Sequence, residues 1–599
     1  MSAETAGVDP FARTSTTKHE TIARWARVAL GWSVVYVVWR AAFTLSGADA
    51  LAGGLLLIAE VLAVGVFAAR ARSAHHGPIE VVASPDAPFP DLAAVIDATG
   101  TSIDELRTTL VAMRRVSGVD RVIVVDRQGS RWLRTIAERF DATVVEPSVS
   151  FDEAVVSTGT SWVLLMRSGD LPMPDLVSVC APRCSSPDVA VIQVGIEEAD
   201  PTSFEHDPDG QWSLEPFEQQ VVRPGLAAQG SIPWFGDGPA LVRRGAVAAL
   251  ESVGNGHMLD RSHRVGLDLI RNGMTVTQLP LTLARVRGTH GLGESLQRRH
   301  RRAVSALAVL RPSRLRGITR PAQFAHLAAA IPVVAALQRI TLIAAALLIL
   351  GLGRTPMETD AVLLALLAIP SYVLRWSAHL LLGRGRLGVF SILRSDLRSL
   401  GVDLVPFVRL HSPAGRGGLG ALSVGILALG IGVVVSAVSI WRDWPDRLAV
   451  SAATIALMIA AGFLGVAVEV LLDALARGQR RVNRRVRLGL VTCRIEEQDG
   501  LLVDLSTGGA GVVVAEPEEG TLASGEVTTI SFRIPDADGA WRNVSALVHI
   551  AHRSSDPEGG VRLGLSFDDP ADAPLDPVVE FLTIDRRLVA LGRHEVVSR

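Results

Sequence analysis

The chain has 599 residues, 48% of them hydrophobic, with a mean hydropathy of +0.33 and a formal net charge of -2. That length holds several domains at roughly 100 to 200 residues each, and the apolar excess excludes a purely soluble protein. Three cysteines, Cys180, Cys184 and Cys493, exclude a disulfide framework, and the first two lack the further ligands of a zinc site, so a reducing, cytoplasmic setting is expected.

Residues 1–27 read as a cytoplasmic N-terminal tail. Apolar runs at 28–45 and 51–69 follow, each near the length that crosses a hydrocarbon core about 30 Å thick, and they predict a transmembrane hairpin over 28–70. Arg24 and Arg27 precede it and Arg70 and Arg72 follow it, so the positive-inside rule places both flanks in the cytoplasm, without a cleavable signal peptide. Arg40 and Glu60 lie inside the two runs. At about 1.5 Å per residue they fall at similar depth and are expected to pair, the alternative being contact with a polar substrate crossing the membrane.

Residues 78–302 alternate apolar runs with helical stretches. Runs at 92–98, 122–125, 143–145, 162–166 and 189–194 suit a buried, mostly parallel sheet. The capping box from Ser102 to Glu105 and the stripe Leu106, Leu110, Met113 start a helix after the first run. The layout predicts a doubly wound α/β domain, in which ligands bind at the carboxyl ends of the strands. Asp126 follows the second run, and Arg167, Ser168, Gly169 and Asp170 follow the fourth. Carboxylates there suit a uridine edge or a magnesium ion shared with a diphosphate, and they equally suit helix caps.

Four more spans are expected near 335–353, 361–382, 419–440 and 448–471, within residues 335–472. Arg384, Arg386, Arg394 and Arg398 flank them on the inside, so six spans leave the tail in the cytoplasm. Amphipathic stretches at 324–334 and 389–404, in the segments 303–334 and 386–410, are expected to lie along the inner interface.

The tail begins with Arg480, Arg481, Arg484, Arg485 and Arg487, followed by Asp504, Ser506 and Gly509. Arginine forks grip phosphate oxygens and stack on purines, so this spacing describes a pocket for a small doubly charged nucleotide; arginines alone would serve as an inside anchor. Short apolar runs at 486–493, 501–503, 511–514, 527–532, 544–551 and 561–567 predict a small closed barrel. Nucleic-acid binding is not expected, because the basic cluster is short and lacks interleaved aromatics.

The order of these parts resembles bacterial cellulose synthase catalytic subunits and their membrane relatives among the family 2 glycosyltransferases. The resemblance spans roughly residues 25–585, and its local marks are Tyr36-Val37-Val38-Trp39-Arg40, Val124-Val125-Asp126, the stretch from Gly236 to Arg244, and Leu337-Gln338-Arg339-Ile340. It implies a GT-A-like fold for 78–302, with Asp126 as the nucleotide-binding Asp. The metal-binding Asp-x-Asp falls on Arg167-Ser168-Gly169, with Asp170 one place late. The Thr-Glu-Asp of the catalytic base falls on Met258-Leu259-Asp260 and keeps Asp260. The Gln-x-x-Arg-Trp motif falls on residues 297–301, keeping Gln297 and ending on Arg301 without its Trp. The gating-loop motif has no clean match, although residues 407–415 occupy a similar place.

Residues 478–590 resemble a PilZ domain through Arg481 and Arg485, then Asp504, Ser506 and Gly509, and a closing Arg562-Leu563-Gly564-Leu565-Ser566-Phe567. This implies cyclic-di-GMP as an allosteric ligand. Arg481 and Arg485 would clamp guanine and phosphate, with Arg480 as an additional contact. Asp504 and Ser506 would meet the other guanine edge, and Gly509 would allow close backbone approach.

The expected protein is a multi-pass α-helical membrane protein with a cytoplasmic GT-A-like α/β domain and a C-terminal six-stranded PilZ-like β-barrel. Its expected place is the cell membrane, with the soluble domains facing the cytoplasm. The expected function is a cyclic-di-GMP-regulated, cellulose-synthase-like glycosyltransferase that moves sugar from a nucleotide sugar, a UDP-sugar foremost, to a polysaccharide or glycan acceptor. Magnesium would serve it if active, and an accessory polysaccharide-export subunit is an implied partner. The alternative is a catalytically inactive, transferase-like receptor or scaffold. Convergence of Asp126, Asp170 and Asp260 on one cleft would favour the enzyme.

Overall fold

The computed structural model describes residues 16–45, 49–75, 88–198, 217–250, 257–286, 292–310, 312–352, 356–357, 359–383, 387–388, 468, 486–496, 498–515, 522–535, 540–556, 560–568 and 575–583. The expected span at 419–440, that at 448–471 apart from residue 468, the interfacial stretch 389–404, residues 407–415 and Arg480, Arg481, Arg484 and Arg485 lie outside these residues.

Helices α1 (Thr16–Phe43) and α2 (Ala50–His75) form the predicted hairpin, joined at their N-terminal turn by Asp49, whose carboxylate accepts the Leu51 and Ala52 N–H groups. Arg40 and Glu60 do pair, at 3.5 Å and in a buried setting. The Tyr36 hydroxyl donates to Glu60 at 2.6 Å, and the Arg40 guanidinium donates to the Pro356 carbonyl at 3.1 Å. Each charge is therefore met by neutralising partners, which a buried ion pair requires.

The α/β domain follows: β1 (Leu92–Asp97), α3 (Ile103–Met113), β2 (Arg121–Val125), α4 (Arg131–Arg139), β3 (Thr143–Val144), α5 (Phe151–Ser157), β4 (Trp162–Arg167), β5 (Leu171–Pro172), α6 (Leu176–Cys184) and β6 (Val189–Glu198). After a π-helical turn, Glu218–Val222, come α7 (Arg223–Ala227), β7 (Ala240–Arg243), α8 (Arg244–Ala248), α9 (Ser262–Arg271) and β8 (Thr275–Val286). The strands form one sheet in the order β3-β2-β1-β4-β7-β6-β8-β5. β3, β2, β1 and β4 are parallel, while β7 runs antiparallel to both β4 and β6.

The sheet is buried on both faces, as the apolar runs require. Along β4, Trp162, Leu164 and Met166 point into one core and Val163 and Leu165 into the other. The capping box acts as read: the Ser102 hydroxyl accepts the Glu105 N–H and the Glu105 carboxylate accepts the Ser102 N–H. Sequence reading missed β5, β7 and β8. β7 is four residues long, and β8 opens with the polar alternation Thr275-Val276-Thr277-Gln278 and contains Pro280, so neither shows a continuous apolar run.

Helices α10 (Leu292–Val309), α11 (Pro312–Leu315), α12 (Arg320–Ala328), α13 (Ile331–Leu352) and α14 (Ala361–Leu382) return the chain to the hairpin, α13 against α2 and α14 against α1. The stretch 324–334, expected as one interfacial helix, instead contains the break between α12 and α13. Among the described residues, Ala50–Ser73 and Val362–Leu382 are long and apolar enough to cross a membrane, and α12 with α13, bent by 51°, makes a third if the pair is one span. α1, which carries Arg24, Arg27 and Arg40, is not in that set.

The tail folds as β9 (Val486–Ile495), β10 (Gln498–Ser506), β11 (Gly509–Val514), β12 (Val527–Pro535), β13 (Trp541–Ser555) and β14 (Val561–Phe567), a closed six-stranded barrel in the order β10-β11-β14-β13-β12-β9. The final helix α15 (Asp576–Thr583) packs on the barrel and on α3.

Candidate functional site

The carboxyl ends of β2, β1 and β4 lie side by side, because Asp97 is in register with Val125 on one side and Arg167 on the other. Asp126 therefore emerges beside Asp97. It is buried, and its two oxygens accept the N–H groups of Gln128 at 3.0 Å and Ser130 at 2.7 Å. These bonds shape the loop that leads to Ser130, the N-cap of α4.

Beyond β4 the chain turns tightly. The Ser168 N–H donates to the Asp97 carbonyl at 2.9 Å, the Gly169 N–H to the Thr109 hydroxyl of α3 at 2.8 Å, and the Asp170 N–H to the Arg167 carbonyl at 3.0 Å. The turn needs glycine, since Gly169 has φ of 94°. The Asp170 carboxylate folds back to accept the Arg167 N–H at 2.8 Å, and burial pushes its pKa up to about 7 against that bond and the charges of Arg167 and Arg298.

The loop before α9 closes over this edge. The Arg167 guanidinium reaches across to the Asp260 carboxylate at 3.2 Å, with both side chains open to solvent. His257 meets Asp97 at 3.0 Å and stacks on Phe151, ring centroids 4.4 Å apart. Burial raises the pKa of Asp97, but the hydrogen bond and charge of His257 outweigh it and hold the carboxyl below its usual range. Asp97 and His257 were not singled out from sequence; an Asp closing a fully apolar strand was the available signal.

Arg301 is exposed on α10, and the Gln297 side chain lies outside the description. Their neighbour Arg298 pairs with Glu198 at 3.4 Å and its charge is felt at Asp170, so this helix lies beside the same edge of the sheet. The register of β1, β2 and β4 thus brings Asp97, Asp126, Arg167 and Asp170 to one edge of the sheet, where His257 pairs with Asp97 and Asp260 with Arg167. This edge does not fit a divalent cation: Asp170 is engaged by its own turn, Asp260 faces a guanidinium, and among the described residues no group of three or more His, Cys, Asp or Glu is placed to hold a metal.

In the barrel, Asp504 pairs in register with Arg487 of β9 and Gly511 of β11, beside an irregularity between Leu502 and Asp504. Its carboxylate is 3.5 Å from the Arg562 guanidinium of β14. The Ser506 hydroxyl donates to the Gly509 carbonyl at 2.9 Å across the β10–β11 turn. A Cβ on Gly509 would collide with the Leu565 carbonyl oxygen, so that position requires glycine. The arginine run leads directly into Val486, which pairs with Leu505 between Asp504 and Ser506. Residues 477–583 match the PilZ domain family. The barrel is a PilZ domain.

This PilZ domain implies cyclic-di-GMP binding, with Asp504, Ser506 and the start of β9 at one place on the barrel. No curated protein matches the chain. Among solved structures, the chain is similar to a mannosyltransferase from Pyrobaculum calidifontis in complex with GDP-Man and Mn2+, at 15% identity over 58% of this chain and 99% of that one, with a TM-score of 0.39. It is similar to glucosyl-3-phosphoglycerate synthase from Mycobacterium tuberculosis, at 16% identity over 37% of this chain and 79% of that one, TM-score 0.26. The inhibitor of motility from Bacillus subtilis is similar at 23% identity over 19% of this chain and 52% of that one, TM-score 0.16.

Proposed function

We propose that the protein is a cyclic-di-GMP-regulated membrane glycosyltransferase that takes a nucleotide sugar, a UDP-sugar foremost, from the cytoplasm and transfers its sugar to a polysaccharide or glycan acceptor. The observation that carries this reading is the gathering of Arg167, Asp170 and Asp260 with Asp97 and Asp126 at the ends of three adjacent parallel strands. In this reading α2, the bent pair and α14 anchor the domain at the bilayer, and the arginine flanks put the soluble parts on the cytoplasmic side.

In this reading, Asp126 and Asp97 border the nucleoside. Arg167 meets the diphosphate, where a guanidinium fork matches two phosphate oxygens and offsets the charge that grows on the leaving group. Engaging the diphosphate draws Arg167 from Asp260 and leaves that carboxylate free. Asp260 then takes the proton of the acceptor hydroxyl as its oxygen bonds to the anomeric carbon, and the bond to the diphosphate breaks with its electron pair on the leaving oxygen. Gln297 and Arg301 border the acceptor side. In the PilZ domain, Arg480, Arg481 and Arg485 take the dinucleotide with Asp504, Ser506 and Gly509.

A second reading, a sensor scaffold without chemistry, is favoured by one observation: Asp170, which stands nearest the family's metal position, is folded into its own turn. Calorimetric titration of the full chain in detergent with cyclic-di-GMP and, separately, with UDP-sugars tests the two. Binding of both supports the transferase; dinucleotide binding alone supports the scaffold, and absence of dinucleotide binding removes the regulation from either.

A further inference from the structure

The final helix belongs to two cores at once. Leu575, Val578 and Phe581 are buried in the core of the PilZ barrel, whereas Val579, 2% exposed, is buried in the core on the α3 face of the α/β sheet. The first residue of the helix adds a polar anchor. Asp576 accepts from Arg107 of α3 at 2.8 Å and 2.6 Å, through Nε and through the terminal nitrogen, and from Arg139 of α4 at 3.2 Å. Arg107 is 0% exposed. A guanidinium in that setting is held by its carboxylate partner, and removal of the partner leaves a buried charge that the surroundings must relieve by moving.

Two residues along α3 from Arg107 is Thr109, also fully buried, whose hydroxyl accepts the Gly169 N–H. Gly169 sits between Arg167 and Asp170 in the turn beyond β4. One short helix thus connects the PilZ domain to the turn carrying the guanidinium that faces Asp260, through Asp576, Arg107, Thr109 and Gly169 in sequence.

We propose that α15 is a strut through which the PilZ domain sets the position of the Arg167–Asp170 turn, with Thr109 as the positioning residue at its far end. This rests on the regulated-transferase reading for its purpose, but the mechanical link has its own readout. A change in how the barrel sits when it takes a dinucleotide moves α15, α15 carries α3 through Asp576 and Val579, and α3 carries the Gly169 amide. The differential contact that regulation requires is then the grip of Asp576 on Arg107 and Arg139.

Hydrogen exchange of the full chain in detergent, read by mass spectrometry on the peptide containing Gly169, tests the strut. Asp576→Asn and Thr109→Val are each expected to speed exchange there by about fivefold or more, the loss of one hydrogen bond in a local opening, while Thr109→Ser keeps the slow exchange of the parent. Cyclic-di-GMP is expected to change this exchange in the parent and to leave it unchanged in Asp576→Asn, although that variant still binds the dinucleotide. Exchange in Asp576→Asn equal to that of the parent overturns the strut, whatever Thr109→Val does. Failure of the parent to bind cyclic-di-GMP sinks the regulatory reading instead, and the comparison without ligand still decides the link.

Discussion

Asp170 accepts an ordinary hydrogen bond from the Arg167 N–H and has an unusual pKa of about 7 caused first by burial. Because its folded pKa lies above the usual 3.8, its protonated form favours the fold fully below that value, and the benefit is lost as pH rises through about 7. Asp170→Asn, which keeps an acceptor oxygen, is therefore expected to raise the thermal midpoint of the full chain at pH 8 and to give almost no gain near pH 4, as a pair of thermal-shift curves would read. The Arg167–Asp260 pair makes a second prediction at this scale. Asp260→Asn should lower sugar transfer by roughly 100-fold or more, the range for a lost general base, with donor binding retained. Arg167→Ala should weaken binding of the nucleotide sugar itself, which calorimetry separates from turnover.

Two elements show what a side chain does for its neighbours. In the hairpin, Glu60→Gln leaves Arg40 buried without its counter-charge, and a loss of roughly 3 to 5 kcal/mol is expected in denaturant unfolding of the detergent-solubilised chain. In the barrel, Gly509→Ala sets a methyl group against the Leu565 carbonyl and should cost about 3 kcal/mol and the dinucleotide site together. Both positions were legible in the sequence, Arg40 and Glu60 by equal depth on two arms and Gly509 by the Asp-x-Ser-x-x-Gly pattern. The buried parallel strands were legible because each is a short continuous apolar run. β7 and β8 were not, since one is too short and the other is polar at its start. His257 and Thr109 were hidden for a different reason: their partners, Asp97 and Gly169, are distant in the chain, and only the strand register brings them together.

The molecule is joined by shared cores. Ala26, Ala29, Phe67 and Ala71 of the hairpin, Ala335 of α13 and Leu382 of α14 share one core with Val95, Val163 and Leu165 of the sheet, so the apolar helices and the α/β domain fold against each other. Val579 extends the opposite core to the PilZ domain. The α/β sheet therefore packs the apolar helices on one face and, through Val579, the PilZ domain on the other, and the proposed regulation of sugar transfer is the work such an arrangement suits. The most direct test is release of nucleoside diphosphate from labelled UDP-sugars by the purified full chain in lipid nanodiscs, with and without cyclic-di-GMP. Release that rises with the dinucleotide and disappears in Asp260→Asn is the predicted result; no release at saturating cyclic-di-GMP from a chain that binds it would contradict the account.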